Sequence, residues 1–355
     1  MFPSKRNRAF AAEWDSQDGI LIAWPHAGTD WAYMLNEVTA CYVEMAHAIL
    51  NDDERLVIVA PDAEDVRDAL GADVDWQRIE IVELPTNDTW VRDYGPITIA
   101  DGGNMKLADF TFNAWGMKFA ADCDNLVSSR LAERDIFKQP LINYRDLVLE
   151  GGSIETDGNG TVMTTTCCLT APNRNDTYTR EQLETELLRR LGCLKMLWLD
   201  YGELTGDDTD GHIDTLARFA PGGVILYTGC DDTEDEHFEP LMKMEEQLKQ
   251  FTDVDGNHYH LIKLPLPDAL YDEISRLPAT YANFLVTNHQ VLVPIYGQPE
   301  KDVKACELIG QAFPGRKVVG IDCRALICQH GSLHCATMQL PQGSLSRPTS
   351  NQQEQ

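Results

Sequence analysis

The chain has 355 residues, 43% of them hydrophobic, and a formal net charge of −28 at pH 7. That length holds one large domain or two ordinary ones, and the apolar share suffices for a buried core. The charge argues against nucleic acid and against an anionic membrane surface as partners; it either draws a small cationic ligand or serves solubility alone.

The basic residues Lys5-Arg6 have no apolar run behind them, and no stretch reaches the length of a membrane span. The ten cysteines form no Cys-x-x-Cys; Cys323 and Cys328 come nearest, with no paired ligands at zinc spacing. The expectation is a cytoplasmic protein with reduced thiols.

In chain order, residues 19–24 are predicted as a strand, 31–50 as a helix and 56–59 as a strand, with an extra helix and strand over 63–82. Runs at 91–99 and 106–112 flank Asp101-Gly102-Gly103-Asn104, ahead of a helix at 121–133 and a strand at 139–143. Runs at 148–155 and 161–166 are joined by Thr156-Asp157-Gly158-Asn159-Gly160, a hairpin turn. A helix over 179–191 closes on Gly192, and a buried strand follows at 195–199. The order returns twice more. Strands 212–219 and 224–228 precede a helix at 239–251 and a strand at 259–264; strands 281–287 and 291–296 precede a helix at 300–313 and a strand at 317–321. An extended run at 334–340 must find its partner in the N-terminal unit. From residue 342 onward the chain is polar, rich in Ser, Pro and Gln, and predicted to be disordered.

The pattern is one of about five ββαβ units of about 65 residues each. Asp93, Glu150 and His212 fall near the start of their units' first strand, and Cys335 near the start of the last run. Around a pseudo-symmetric axis these positions converge on one pocket; otherwise they are turn residues and a core thiol. A thiol, an imidazole and carboxylates suit attack on a cationic guanidinium carbon. A carboxylate gripping the guanidinium nitrogens holds the plane, a thiolate adds, and the imidazole protonates the departing nitrogen. Nearby carboxylates are expected to raise the thiol's pKa until a cation arrives.

Trp90 and Trp115 are core aromatics or walls for an aliphatic chain. Asp88 is a turn cap or a ligand-facing acid. Arg92 reads as a structural ion-pair partner. Asp207-Asp208-Thr209-Asp210-Gly211-His212-Ile213-Asp214 is dense in oxygen ligands but lacks the closing Glu of a calcium loop.

Trp90-Val91-Arg92-Asp93-Tyr94-Gly95-Pro96 resembles the W-x-R-D-x-G-P signature of agmatine deiminases and bacterial-type peptidylarginine deiminases. Phe112-Asn113-Ala114-Trp115-Gly116, Glu150-Gly151-Gly152, Gly211-His212-Ile213-Asp214, His334-Cys335 and the opening Glu13-Trp14 appear in that family's order, so the resemblance covers residues 13–341. It implies an α/β fold, the five-bladed propeller of guanidino-group-modifying enzymes (the pentein fold), as a single catalytic domain over 1–341. It implies hydrolysis of agmatine to N-carbamoylputrescine and ammonia through a cysteine thiouronium, with no cofactor and no metal, in a homodimer. The roles implied are Cys335 as nucleophile, His212 as acid/base, Asp93 and Asp214 as guanidinium carboxylates and Glu150 as their partner. Trp90, Trp115, Asp88, Asp208 and Asp210 are the expected substrate-binding residues, the last two for the distal amine. One departure is His330-Gly331-Ser332-Leu333, where many agmatine deiminases carry a glycine-rich stretch with Asn. It leaves peptidylarginine and free arginine open as substrates. Two alternatives of other classes are a metal-dependent hydrolase built on Asp207–Asp214 and a non-catalytic binding module.

Overall fold

A computed structural model describes residues 8–102 and 104–346 of the chain. Strand β1 (Arg8–Phe10) stands ahead of the repeats. β2 (Gln17–Ala23), β3 (Arg55–Ala60) and β4 (Ile79–Glu83) are parallel neighbours. β5 (Ile97–Asp101) and β6 (Asn104–Thr111) form a hairpin, β7 (Ile142–Val148) adds in parallel, and β1 covers the outer edge of β5. The same order recurs in β8 (Ile154–Thr156), β9 (Thr161–Thr165) and β10 (Lys195–Leu199). It recurs again in β11 (Ala217–Ala220), β12 (Val224–Gly229) and β13 (His260–Pro265). β14 (Leu285–Val286), β15 (Gln290–Ile295) and β16 (Lys317–Asp322) complete the set. β17 (Thr337–Pro341) then runs antiparallel to β2, with Met338 opposite Leu21. Among the described residues the strands make five sheets, and the last strand joins the first of them, as the unpaired run at 334–340 required.

Each hairpin feeds a helix that returns the chain to the parallel strand, because a parallel partner needs a crossover. Arg180–Leu191 shows how such a helix is punctuated: Thr179 and Gln182 form a capping box, and Gly192 ends it in the left-handed region at φ 71°. Ile20, Leu21 and Ile22 of β2 and Leu56 to Val59 of β3 are wholly buried, which is why these strands read as unbroken apolar runs. No helix among the described residues is long and apolar enough to cross a membrane.

The structure differs from expectation where strands were read as starting. Residues 91–94 form a helical turn (Val91–Tyr94) ahead of β5, not a strand. Gly151–Ser153 and Ile213–Thr215 are 3-10 turns ahead of β8 and β11. His212 and Asp214 therefore do not lie on one face of an extended segment. Each turn closes on itself, with Ser153 N–H donating to Glu150 O and Leu216 N–H to Ile213 O. Backbone polarity is thus satisfied without a neighbouring strand, which frees the side chains to point inward. The strand read at 139–143 runs instead over β7, ending at Val148.

The polar tail also begins later than residue 342. Leu345 is 2% exposed and bridges Phe137, and Gly343 and Leu345 N–H groups donate to Asp18 Oδ2. One apolar side chain and an acceptor on Asp18 anchor residues 342–346; residues 347–355 of the expected tail, and Gly103 of the expected hairpin turn, lie outside the described residues.

Candidate active site

The short turns deliver the acidic and basic groups to one point. A methyl group built on Gly152 would sit 2.6 Å from His212 Nδ1, 2.9 Å from Asp93 Oδ1 and 3.1 Å from Asp214 Oδ2. Cys335 Sγ lies 3.6 Å from that same Asp214 oxygen. Glu150 Oε2 is 2.8 Å from His212 Nε2, which leaves Nδ1 as the nitrogen facing Asp93, at 3.6 Å from Oδ1. The five residues given chemical roles from the sequence are thus grouped, all at 6% exposure or less.

Their charges are set by burial against pairing. Burial pushes the Asp93 carboxyl up to about 6; the His212 cation opposes this, while Glu150 and Asp214 add to it. Asp93 remains anchored, with Oδ1 accepting from Gly152 N–H and Oδ2 from Trp115 Nε1–H, both at 2.9 Å. For His212, burial favours the neutral ring, but Asp93, Cys168 and Glu150 outweigh it and hold the imidazole well above its ordinary value. Burial likewise opposes ionisation of Glu150, yet bonds from His212 and Arg174 keep it below the usual carboxylate range. Asp214 is lowered too, since His334 and the His212 charge overcome its desolvation. The Cys335 thiol is pushed well above its usual value by burial first, then by Asp214 and Asp93. Two buried atoms, His212 Nδ1 and Asp214 Oδ1, have no hydrogen-bond partner among the described residues.

The expected substrate-binding residues divide. Trp115 touches the cluster directly through Asp93. It does so from a run of left-handed backbone, φ 53°, 53°, 83° and 67° at Ala114 to Met117, which side chains adopt at a cost. Trp90 packs on Trp31 with ring centroids 5.7 Å apart, and Gly331 is so close to its ring that a methyl there would overlap it. Asp88 is pushed up to about 7 by burial, with Asp30 and Asp208 adding to the shift, while Thr89 N–H and Oγ1 donate to its Oδ1. Asp208 is raised by burial and by Asp207. Asp210 does not present a free carboxylate: it pairs with Lys118 at 2.8 Å and Arg174 at 2.6 Å.

Several residues of this site had no role assigned from the sequence. Arg174 donates through Nε to Glu150 Oε1 at 2.9 Å and through Nη2 to Oε2 at 3.0 Å. It lies outside any motif, and nothing in the sequence marks it as the partner of Glu150. His334 sits between carboxylates, with Nδ1 2.8 Å from Asp214 Oδ2 and Nε2 2.8 Å from Glu13 Oε1. Glu13 in turn pairs with Arg92 and Arg218, so Arg92 serves as the structural partner expected of it. Asn283 bonds the turn that carries Cys335 and was read only as part of a strand. Glu13 and His334 had been noticed only as parts of motifs.

The Asp207–Asp214 cluster does not converge as a cation loop. Asp207 accepts from Thr209 and Gly211, Asp210 takes Lys118 and Arg174, and Asp214 faces His334. Among the described residues, Glu150–Cys168–His212 and Glu13–Glu155–His334 are close enough to share an ion. Their carboxylates are already bonded to Arg174, Arg92 and Arg218, so an added cation would face guanidinium charge. These residues do not fit a metal.

A family model described as Porphyromonas-type peptidyl-arginine deiminase matches residues 9–341. A protein of Legionella pneumophila strain Philadelphia 1, named "Putative agmatine deiminase", is 34% identical over 335 residues, covering 93% of this chain and 94% of its own. The crystal structure of the "Putative Arginine Deiminase" of Porphyromonas gingivalis is 48% identical, with a TM-score of 0.90 over 96% of this chain and 100% of that one. A cysteine-to-serine variant of the C. jejuni agmatine deiminase, solved with substrate bound, is 37% identical, with a TM-score of 0.89 over 98% and 99% of the two chains.

Proposed function

The chain belongs to the Porphyromonas-type peptidyl-arginine deiminase family, and on that premise we propose that it hydrolyses the guanidino group of agmatine to N-carbamoylputrescine and ammonia, with Cys335 as nucleophile. The observation that carries this reading is the convergence at Gly152. One imidazole nitrogen and two carboxylate oxygens lie within 3.1 Å of a single point, and the thiol is 3.6 Å from one of those oxygens. Planar N–H donors of a guanidinium complement the buried, unpartnered Asp214 Oδ1 and the ionised Asp93. The five sheets support a five-bladed arrangement about a common axis, which puts the turn before each sheet's first strand at the centre.

The cationic substrate offsets the carboxylates that keep Cys335 protonated, so the thiol releases its proton to solvent when substrate arrives. The sulfur adds to the guanidinium carbon. His212, protonated and steered by Glu150 at Nε2, donates the Nδ1 proton to the leaving nitrogen, and ammonia departs. A thiouronium remains on Cys335. His212 then takes a proton from water, which attacks that carbon; the thiolate leaves and the urea product is released.

Agmatine is favoured over free arginine by the state of the arginines. Arg92 and Arg174 are committed to Glu13, Glu150 and Asp210, leaving neither for a substrate carboxylate. Asp88 and Asp208, whose carboxyls burial raises, are instead suited to a distal amine. The burial of all five residues given chemical roles, at 6% exposure or less, disfavours an arginine within a protein.

The test is ammonia release from agmatine, arginine and a blocked arginyl peptide, alongside mass spectrometry of the quenched protein. Agmatine is expected to be turned over fastest, with a covalent adduct on Cys335 and no turnover in Cys335→Ser. Faster release from the peptide would transfer the assignment to peptidylarginine. Full activity in Cys335→Ser would remove the mechanism.

A further inference from the structure

Asn283 is wholly buried ahead of β14 and touches the reacting sulfur. Its Oδ1 accepts from His334 N–H at 2.9 Å and from Cys335 N–H at 3.2 Å. Two backbone donors on one end of the carboxamide identify that end as oxygen, because a flipped amide would set N–H against N–H. The other end is therefore Nδ2, and it points at Cys335 Sγ at 3.3 Å. The backbone is tied on the far side as well, with His334 N–H also donating to Asn283 O at 3.1 Å and Arg92 N–H to Cys335 O at 3.1 Å.

Among the other neighbours of the sulfur the Ser332 backbone favours its ionisation, while burial and the nearby carboxylates oppose it. Asp214 Oδ2 is 3.6 Å away, and Asp93 acts on it from the adjoining turn. Tyr42 and Tyr296 also interact electrostatically with the thiol, but burial first of all holds both phenols protonated. Arg92 faces Glu13 and Gln339 rather than the sulfur. A thiolate formed here, both at attack and when it leaves the thiouronium, thus needs a nearby donor.

We propose that Asn283 is a catalytic residue: its Nδ2–H holds the Cys335 thiolate, while its Oδ1 pins the two backbone amides that aim the sulfur. The proposal rests on the reading of Cys335 as nucleophile.

Asn283→Asp separates the two functions. It keeps an oxygen for the backbone amides and replaces the donor by an acceptor. Two quantities are measured: the pH profile of Cys335 alkylation by iodoacetamide, followed by mass spectrometry without any substrate, and the kinetics of ammonia release from agmatine. The expected result is an alkylation midpoint raised by about one pH unit or more. With it, kcat falls roughly 100-fold while KM changes little. Wild-type alkylation and kcat in a folded Asn283→Asp would overturn the proposal, as would a shifted alkylation profile with kcat unchanged. If that variant does not fold, Asn283→Ser, which retains an acceptor near the amides, carries the same two readouts. Should the wild-type protein release no ammonia from any guanidino compound, the functional reading fails by itself. The alkylation profile then decides the Asn283–sulfur contact alone.

Discussion

Gly152 shows how one residue separates chemistry from folding. Its backbone is outside the left-handed region, so alanine is conformationally allowed there; what forbids a methyl is the His212 nitrogen and the Asp93 and Asp214 oxygens around it. Gly151 is the opposite case, since a methyl would lie 2.1 Å from the backbone oxygen of Arg92, which cannot move without the turn. Gly152→Ala is expected to lose on the order of 100-fold in kcat/KM with a small change in melting temperature. Gly151→Ala is expected to cost about 2 kcal/mol or more of stability. Thermal melts and ammonia release on the two variants check this, and equal melting losses would refute the distinction. Asp93 adds a pH dependence. In its proposed role it must be ionised to hold a guanidinium, and burial raises its carboxyl to about 6. The acid limb of kcat/KM is therefore expected near pH 6, with activity lost as pH falls through it. The limb of kcat lies lower, because a bound cation favours the ionised form. Identical limbs for the two constants would exclude Asp93 as the group responsible. At this scale the residue types were legible because their chemistry is scarce: a thiol, a histidine and carboxylates at recurring positions. Arg174 and Asn283 were not, because an arginine or asparagine in a sequence carries no sign of the buried partner it serves.

The elements were legible wherever a cap or an unbroken apolar run marked them. The capping box at Thr179, the stop at Gly192 and the run Lys195–Leu199 fall where the residues put them. The starts of the first hairpin strands were not, because one-turn helices such as Val91–Tyr94 and Ile213–Thr215 are too short to show a period and include Val, Tyr, Ile and Thr, which are common in strands. β1 was missed for a related reason: three residues give no alternation to read. Between elements, the start of β3 meets the loop before β15 through a buried acid. Glu54 Oε1 accepts from Asn288 N–H at 2.8 Å, Oε2 has no hydrogen-bond partner among the described residues, and burial, with Asp52 adding, raises the carboxyl to about 8. The folded state therefore holds this proton more tightly than the unfolded chain does. Its stabilising contribution is complete below the ordinary glutamate value of 4.5 and disappears as pH rises toward 8. Wild-type melting temperature is expected to fall across that window, and Glu54→Gln to flatten the decline. Glu155 and Asp124, raised in the same direction mainly by burial, leave a residual slope. A profile of unchanged steepness in Glu54→Gln would show that the acid is ionised inside the fold.

Across the whole molecule the net charge of −28 acts at long range, over distances that the pairs within the site do not reach. A negative field raises the local concentration of cations and speeds their arrival, and dissolved salt weakens it. Agmatine carries two positive charges at neutral pH, on its guanidinium and its distal amine; a guanidino compound with an uncharged alkyl tail carries one. Raising ionic strength from about 0.01 to about 0.1 M shortens the screening length from about 30 to about 10 Å. Over that range kcat/KM for agmatine is expected to fall, and more steeply than for the singly charged analogue. By contrast, kcat for both should hold, because the bound guanidinium is flanked by buried groups that salt screens little. The local and global contributions are separable through Asp208, one carboxylate among the 57 acidic residues. Asp208→Asn removes the proposed partner of the distal amine but only one unit of the overall field. It should therefore raise KM for agmatine with little effect on the analogue, while leaving the difference between their salt slopes nearly intact. If the variant instead gave the two compounds the same slope, attraction would reside in the mouth of the site rather than in the summed charge of the protein.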